Sequence, residues 1–225
     1  DNTAWITINR PQVRNAFREQ TLDELIEAVK STREDASIVA AVITGAGDKA
    51  FSAGGDFDAM MKLNRANAMH WNDRMLGLAM AIRGVPIPVI AMVHGACMGG
   101  GHELALWCDL VISAEDGIFG QTGARVGACP TVGATQYIPR LIGDRLAKEM
   151  IFLCRTFTAD EAVKIGLINK AKNLYKNALK IDPDNPDIII NLGNIYKYTG
   201  NYSIAIELYK KAILISNNIK YEFNL

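Results

Sequence analysis

The sequence predicts an α/β fold for residues 1–169, followed by an all-α helical tail over residues 170–225. Three observations carry that reading. Strand-like and helix-like segments alternate through the first part, the pattern of an α/β protein. Composition changes abruptly near residue 169. The tail then repeats itself at a fixed offset.

The alternation can be followed in order. "AWITIN" (4–9) alternates like a half-buried strand. "TLDELIEAVKSTRED" (21–35) places Thr21 and Glu24 at capping-box spacing, with Leu22, Leu25, Ile26 and Val29 on one helical face. "SIVAAVITGAG" (37–47) reads as a buried strand that ends in glycine turns. "NRANAMHWNDRMLGLAMAIRG" (64–84) reads as a helix, and "PVIAMVHG" (88–95) as a second buried strand. "GGGHELALWC" (99–108) turns from glycine into a helix, and "DLVISA" (109–114) is a third strand. "GATQYIPRLIG", "DRLAKEMIFL" and "TADEAVKIG" are helical, the last with a capping box at Thr158 and Glu161. The most apolar region, residues 75–93, is broken by Arg83, Pro86 and Pro88, so a membrane span is not expected.

The break in composition is sharp. Residues 1–169 hold 11 Arg, 5 Lys and 19 acidic residues, a net charge of −3. Residues 170–225 hold 8 Lys, no Arg and 5 acids, a net charge of +3, with six of the seven Tyr and nine of the 16 Asn. The two halves cancel, so no global charge suggests nucleic acid or a membrane surface as partner. The four Cys are widely spaced and lack a CxxC, and no His/Cys cluster has ligand spacing. The expectation is a reduced, cytoplasmic protein with core thiols and no metal. The chain opens on Asp1 directly into a strand, which reads as a fragment lacking its first residues.

In the tail, "AKNLYKNALKID" (171–182) lies over "AIELYKKAILIS" (205–216) at an offset of 34. Ala171, Leu174, Tyr175, Lys176, Ala178 and Ile181 recur as Ala205, Leu208, Tyr209, Lys210, Ala212 and Ile215. Leu192, Gly193, Tyr196 and Gly200 supply the intervening helix. The order, spacing and period resemble tetratricopeptide repeats, in one whole repeat and half of another. Small residues there let paired helices approach while aromatics fill the gaps. The resemblance implies a protein partner for the tail. A seam is expected between Gly166 and Ala171, with the helices running on across it.

Two glycine-rich turns each follow a strand-like run: "FSAGGDF" (51–57) and "GACMGGGHEL" (95–104). Glycine lets backbone come close to a ligand. At a helix start the N–H groups are unpaired and the dipole is positive. Two such turns facing each other would make a pocket for a developing oxyanion; tight strand-to-helix packing is the alternative for either turn alone. Neither is GxGxxG or a Walker loop, which sets nucleotide-phosphate binding aside.

Together, "TINRPQVRNAF", "ITGAGDKAFSAGGDF", "PVIAMVHGACMGGGHELALWCDLVISAEDGIFGQ" and "EAVKIGLIN" resemble, in order and spacing, the crotonase superfamily of enoyl-CoA hydratases and isomerases. The resemblance covers residues 1–169 and implies stacked β-β-α turns, an acyl-CoA thioester substrate and no cofactor beyond its CoA moiety. It implies an oxyanion hole formed by the N–H groups of Gly55 and Gly100. It implies Arg14, Ala16, Ala53 and Gly54 as contacts to CoA, Arg14 at its phosphates and the Ala53 backbone at adenine. Glu103 matches one of the two catalytic Glu of the hydratases; the alternative for it is a helix N-terminal carboxylate favoured by the dipole. The second Glu is absent, and Gly123 stands in its place. The "QTG" form at 121–123 resembles dihydroxynaphthoyl-CoA synthases and ring-opening alicyclic acyl-CoA hydrolases, although the carboxylate-bearing synthase loop is unmatched.

Family members continue past "GLIN" with helices that close the acyl pocket and build a trimer or hexamer; here the repeat-like tail follows instead. Three readings of the whole chain stay open: an acyl-CoA enzyme impaired by truncation, a scaffold fused to a protein-binding tail, or a chimera without joint function.

Overall fold

The computed structural model describes residues 2–172, 183, 184, 186, 189, 190, 192, 193 and 202–222. The chain divides into two compact units, residues 1–171 and 172–225.

In the first unit, after an opening strand and helix, the chain repeats the order strand, short strand, helix. Strand β1 (Thr3–Ile8) leads to helix α1 (Glu19–Ser31), then β2 (Ala40–Gly45), β3 (Ala50–Ser52), α2 (Phe57–Met60) and α3 (Ala68–Gly84). The pattern recurs as β4 (Val89–Val93), β5 (Ala96–Met98) and α4 (Gly100–Trp107), and again as β6 (Leu110–Ala114), β7 (Ile118–Gly120), a 3₁₀ turn (Gly123–Val126) and α5 (Ala134–Ile142). Helix α6 (Asp144–Phe152), β8 (Thr156–Thr158), α7 (Ala159–Lys164) and β9 (Lys170–Lys172) complete it.

The four long strands and the short β9 form one sheet in the order β1-β2-β4-β6-β9, and the other short strands a second in the order β3-β5-β7-β8. The β1-β2, β2-β4 and β4-β6 pairs are parallel, as are β3-β5 and β5-β7, while β8 returns antiparallel to β7. Each β-β-α turn thus stacks on the one before it. Strand β2 reads as a continuous apolar run because it is covered on both faces, whereas β1 at the sheet edge alternates and leaves Trp5 exposed. The buried side chains of the strands meet α1, α3 and α4 around Phe17, Leu22, Phe51, Leu78, Leu104 and Phe119, all fully buried.

The Thr158 capping box forms as expected: Thr158 Oγ1 accepts from Glu161 N and Glu161 Oε2 accepts from Thr158 N. The Thr21 box does not. Helix α1 starts two residues earlier, and Thr21 is buried inside it. Its apolar neighbours on the core-facing side outweigh the cap. The seam also differs from expectation. Helix α7 ends before Gly166, the Asn169 N–H and side-chain Oδ1 pair with Val111, and Lys170–Lys172 forms an edge strand rather than a helix. Ala171, expected on a helix, lies in that strand. A neighbouring edge with unpaired backbone groups sets this local choice. Cys97, Cys108 and Cys154 are buried thiols; Cys129 is exposed, not a core residue.

In the second unit α8 runs from Tyr202 to Glu222. It buries Ala205 and Ala212, and Ile189, Leu192 and Gly193 are also buried. A Cβ on Gly193 would lie 2.7 Å from the Tyr209 ring, the small-against-aromatic packing the repeat predicts. Lys211 donates to the Pro183 carbonyl and pairs with Asp184. Leu174, Tyr175, Lys176, Ala178, Ile181, Tyr196 and Gly200 lie outside the described residues.

Candidate active site

The two glycine turns come together. A Cβ on Gly54 would lie 2.7 Å from the Gly100 nitrogen and 2.9 Å from the Met98 carbonyl oxygen, so no side chain fits between the turns. Gly54 also has φ 89°, in the left-handed region where only glycine is unstrained. Gly101 continues the close approach, its Cβ position falling 2.3 Å from the Ser52 carbonyl oxygen.

In each turn one peptide group is clamped by its carbonyl. Gly54 O accepts from Phe17 N at 2.7 Å. Gly99 O accepts from Glu103 N at 2.9 Å and from Gln121 Nε2 at 3.2 Å. In a planar trans peptide the N–H points opposite to the C=O. The N–H groups of Gly55 and Gly100 are therefore turned away from these anchors, and neither has an acceptor among the described residues. Gly100 opens α4, where the helix dipole adds positive potential.

Both glycines line a cavity of about 440 Å³. Trp71 and Met75 of α3 form an apolar wall, and Glu103 and Gly123 line the same space. Glu103 stands one helical turn after Gly100 and is only 4% exposed. Its Oε1 accepts from Val132 N at 3.1 Å. Burial pushes its carboxyl above the usual range, and backbone N–H groups of Val132 and Ala134 only partly offset that. Among the described lining residues it is the one carboxylate.

Gly123 is closed by its own loop. A Cβ there would meet the Ala128 carbonyl oxygen at 2.8 Å, because Ala128 N donates back to Gly123 O. The position that would carry a second carboxylate thus has no room for a side chain in this backbone. Of the four expected CoA contacts, Ala53 lines the cavity, Gly54 packs against the Gly100 turn, and Ala16 is buried, its carbonyl accepting from Arg10. Arg14 is exposed and lines a separate recess of about 160 Å³, joined to the site through Ala53 N, which donates to Arg14 O.

Gln121, noted in the sequence only as part of the "QTG" form, also belongs to the site. It is 2% exposed, lines the cavity, and its amide also lies 3.3 Å from His102 Nδ1. His102 is fully enclosed, and burial lowers its pKa to about 4, so the ring is neutral. A lone amide at the end of the apolar "GIFGQ" run was the available signal. Among the described residues no group of three or more His, Cys, Asp or Glu is placed to hold a metal ion, and no helix is long and apolar enough to cross a membrane.

Residues 1–180 match the family described as enoyl-CoA hydratase/isomerase. The chain belongs to that family. Residues 166–221 match the tetratricopeptide repeat. Among solved structures, the chain is similar to an enoyl-CoA hydratase from Bacillus anthracis, with 29% identity over 95% of this chain and 86% of that one, TM-score 0.74. It is similar to an enoyl-CoA hydratase from Thermoplasma volcanium, with 27% identity, 95% and 88% coverage and TM-score 0.74. DspI of Pseudomonas aeruginosa matches at 30% identity, 98% and 90% coverage and TM-score 0.73. The stacked β-β-α turns of residues 1–171 are this family's crotonase fold.

Proposed function

We propose that this hydratase/isomerase family member binds an acyl-CoA thioester and moves a proton at its α-carbon through an enolate. The observation that carries the reading is the pair of acceptor-less N–H groups, on Gly55 and Gly100, in one cavity with a single buried carboxylate. The thioester oxygen would sit between the two N–H groups. The Glu103 carboxylate takes the α-proton, the C–H electron pair forms a C=C bond as the carbonyl π pair moves onto that oxygen, and the proton is returned to carbon. Donors fixed in advance stabilise such charge without reorganising. Arg14, Ala16, Ala53 and Gly54 are assigned to the CoA portion, and no cofactor beyond CoA is needed for these steps.

Isomerisation or proton exchange is favoured over hydration, because Gly123 leaves water without a second carboxylate to activate it. We read residues 1–169 as the acyl-CoA-binding part and residues 170–225, beyond the short edge strand with which they open, as a helical part with a protein partner.

The test is exchange of the acyl-CoA α-proton in deuterium oxide. The wild-type chain exchanges it and Glu103→Gln falls by about 10²-fold or more, the usual scale of a lost acid–base group. Because the Glu103 carboxyl is raised, exchange declines as pH falls through a midpoint above the ordinary carboxylate range. Full exchange by Glu103→Gln sinks the assignment.

A further inference from the structure

We propose that Trp107 is a positioning residue for Glu103, acting through the backbone of Val132. This rests on the reading of Glu103 as the proton carrier. Glu103 and Trp107 are four residues apart on α4, so they share a face one turn apart. Both reach the loop that leads into α5, and both end on Val132. Val132 N donates to Glu103 Oε1 at 3.1 Å, and Trp107 Nε1 donates to Val132 O at 2.9 Å. One helix therefore holds one loop residue by its N–H and by its C=O.

The arrangement explains why a tryptophan stands there. The ring is 1% exposed, and any large apolar side chain could fill the volume. A buried indole needs an acceptor, and a buried carbonyl in a loop needs a donor. Among the described residues Trp107 is the one donor to Val132 O. Val132 lies outside any helix or strand, so no ladder fixes its orientation. Without the indole N–H that segment can turn, and the Glu103 carboxylate loses a directed donor.

No neighbouring charge takes over that task. The titratable or charged groups that share the cavity with Glu103 are Arg125 and Cys129, with neutral His102 beside it on α4; α5 carries Tyr137 and Arg140, β5 the buried thiol Cys97, and Asp73 and Arg83 of α3 line the neighbouring recess that Trp107 and Val132 share. The α3 side chains in this cavity, Trp71 and Met75, are uncharged, and β3 carries no titratable residue. Burial and backbone N–H groups set the proton affinity of Glu103. Losing one such N–H raises it further, since the donor favours the anion.

The experiment replaces Trp107 with β-(3-benzothienyl)alanine, which keeps the bicyclic shape and puts sulfur in place of N–H. Trp107→Phe is the genetic counterpart. Two quantities are read in the full chain. One is the pH midpoint of the Glu103 carboxyl, from its infrared C=O stretch in ligand-free protein, assigned by difference against Glu103→Gln. The other is α-proton exchange of an acyl-CoA against pH. The isostere is expected to move both midpoints upward and to lower exchange on the acid side about three- to tenfold, one hydrogen bond's worth, with thioester affinity unchanged. An unmoved infrared midpoint in the folded isostere protein overturns the proposal. Full exchange by Glu103→Gln overturns the catalytic reading of Glu103 instead, and the infrared midpoint then judges the Trp107 bond by itself.

Discussion

The turn at 54–55 and the turn at 99–100 present the same group, an N–H without an acceptor, but hold it by different means. In the first turn the clamp is backbone. Phe17 and Gly55 form an isolated parallel bridge, with Phe17 N on Gly54 O and Asp56 N on Phe17 O. Asp56 then caps α2 through Ala59 N, and Arg10 pairs with it at 2.9 Å. Burial pushes the Asp56 carboxyl up, but the Arg10 and Ala59 donors together outweigh that and leave it below the usual range. In the second turn no side chain caps α4, and part of the clamp on Gly99 O is the Gln121 amide. The peptide that carries the Gly55 donor is thus held by backbone alone, whereas the one that carries the Gly100 donor is held by backbone and by one side chain.

The largest expected effect separates the donors themselves. Gly100→Pro removes the N–H at the first helical position, where proline's fixed φ is already suited. A Cβ there meets nothing closer than Met75 Cε at 3.4 Å. Turnover should fall about 10²–10³-fold with folding retained; a folded variant that keeps its turnover would break the equivalence of the two turns. Next, Gly54→Ala forces a Cβ to within 2.7 Å of the Gly100 nitrogen at φ 89°, and should cost about 1–3 kcal/mol of stability, read by denaturant unfolding. The smallest effect sharpens the contrast. Gln121→Met removes one of two donors to Gly99 O and leaves His102 Nδ1 without its partner. Turnover should drop about tenfold with thioester affinity held, for a loss of roughly one hydrogen bond. A variant with unchanged turnover would show that Glu103 N alone fixes the peptide.

Legibility in the sequence followed chain length. Long apolar strands and amphipathic helices such as α1 and α6 carry their period over enough residues to be read. Strands β3, β5, β7, β8 and β9 are three residues each. Three residues cannot establish a period, and these strands exist because the turns stack, not because of their own composition. The Thr21 box failed for a related reason: a local cap signal lost to burial of the same residue.

The sequence by itself determined the α/β order of residues 1–169, the two glycine turns, Glu103 one helical turn after Gly100, and the helix-sized repeat of the tail. Those features are local, and backbone preference or spacing along one element decides them. Only the tertiary structure decided that the two turns meet too closely for a side chain to fit between them. It also decided that Ala128 closes the Gly123 position, that Gln121 and Trp107 reach across to brace the site, and that the 170–172 segment becomes an edge strand. Apart from the Ala128 closure, which is made within a single loop, each of these depends on groups about twenty or more residues apart, whose distance is set by how the β-β-α turns pack.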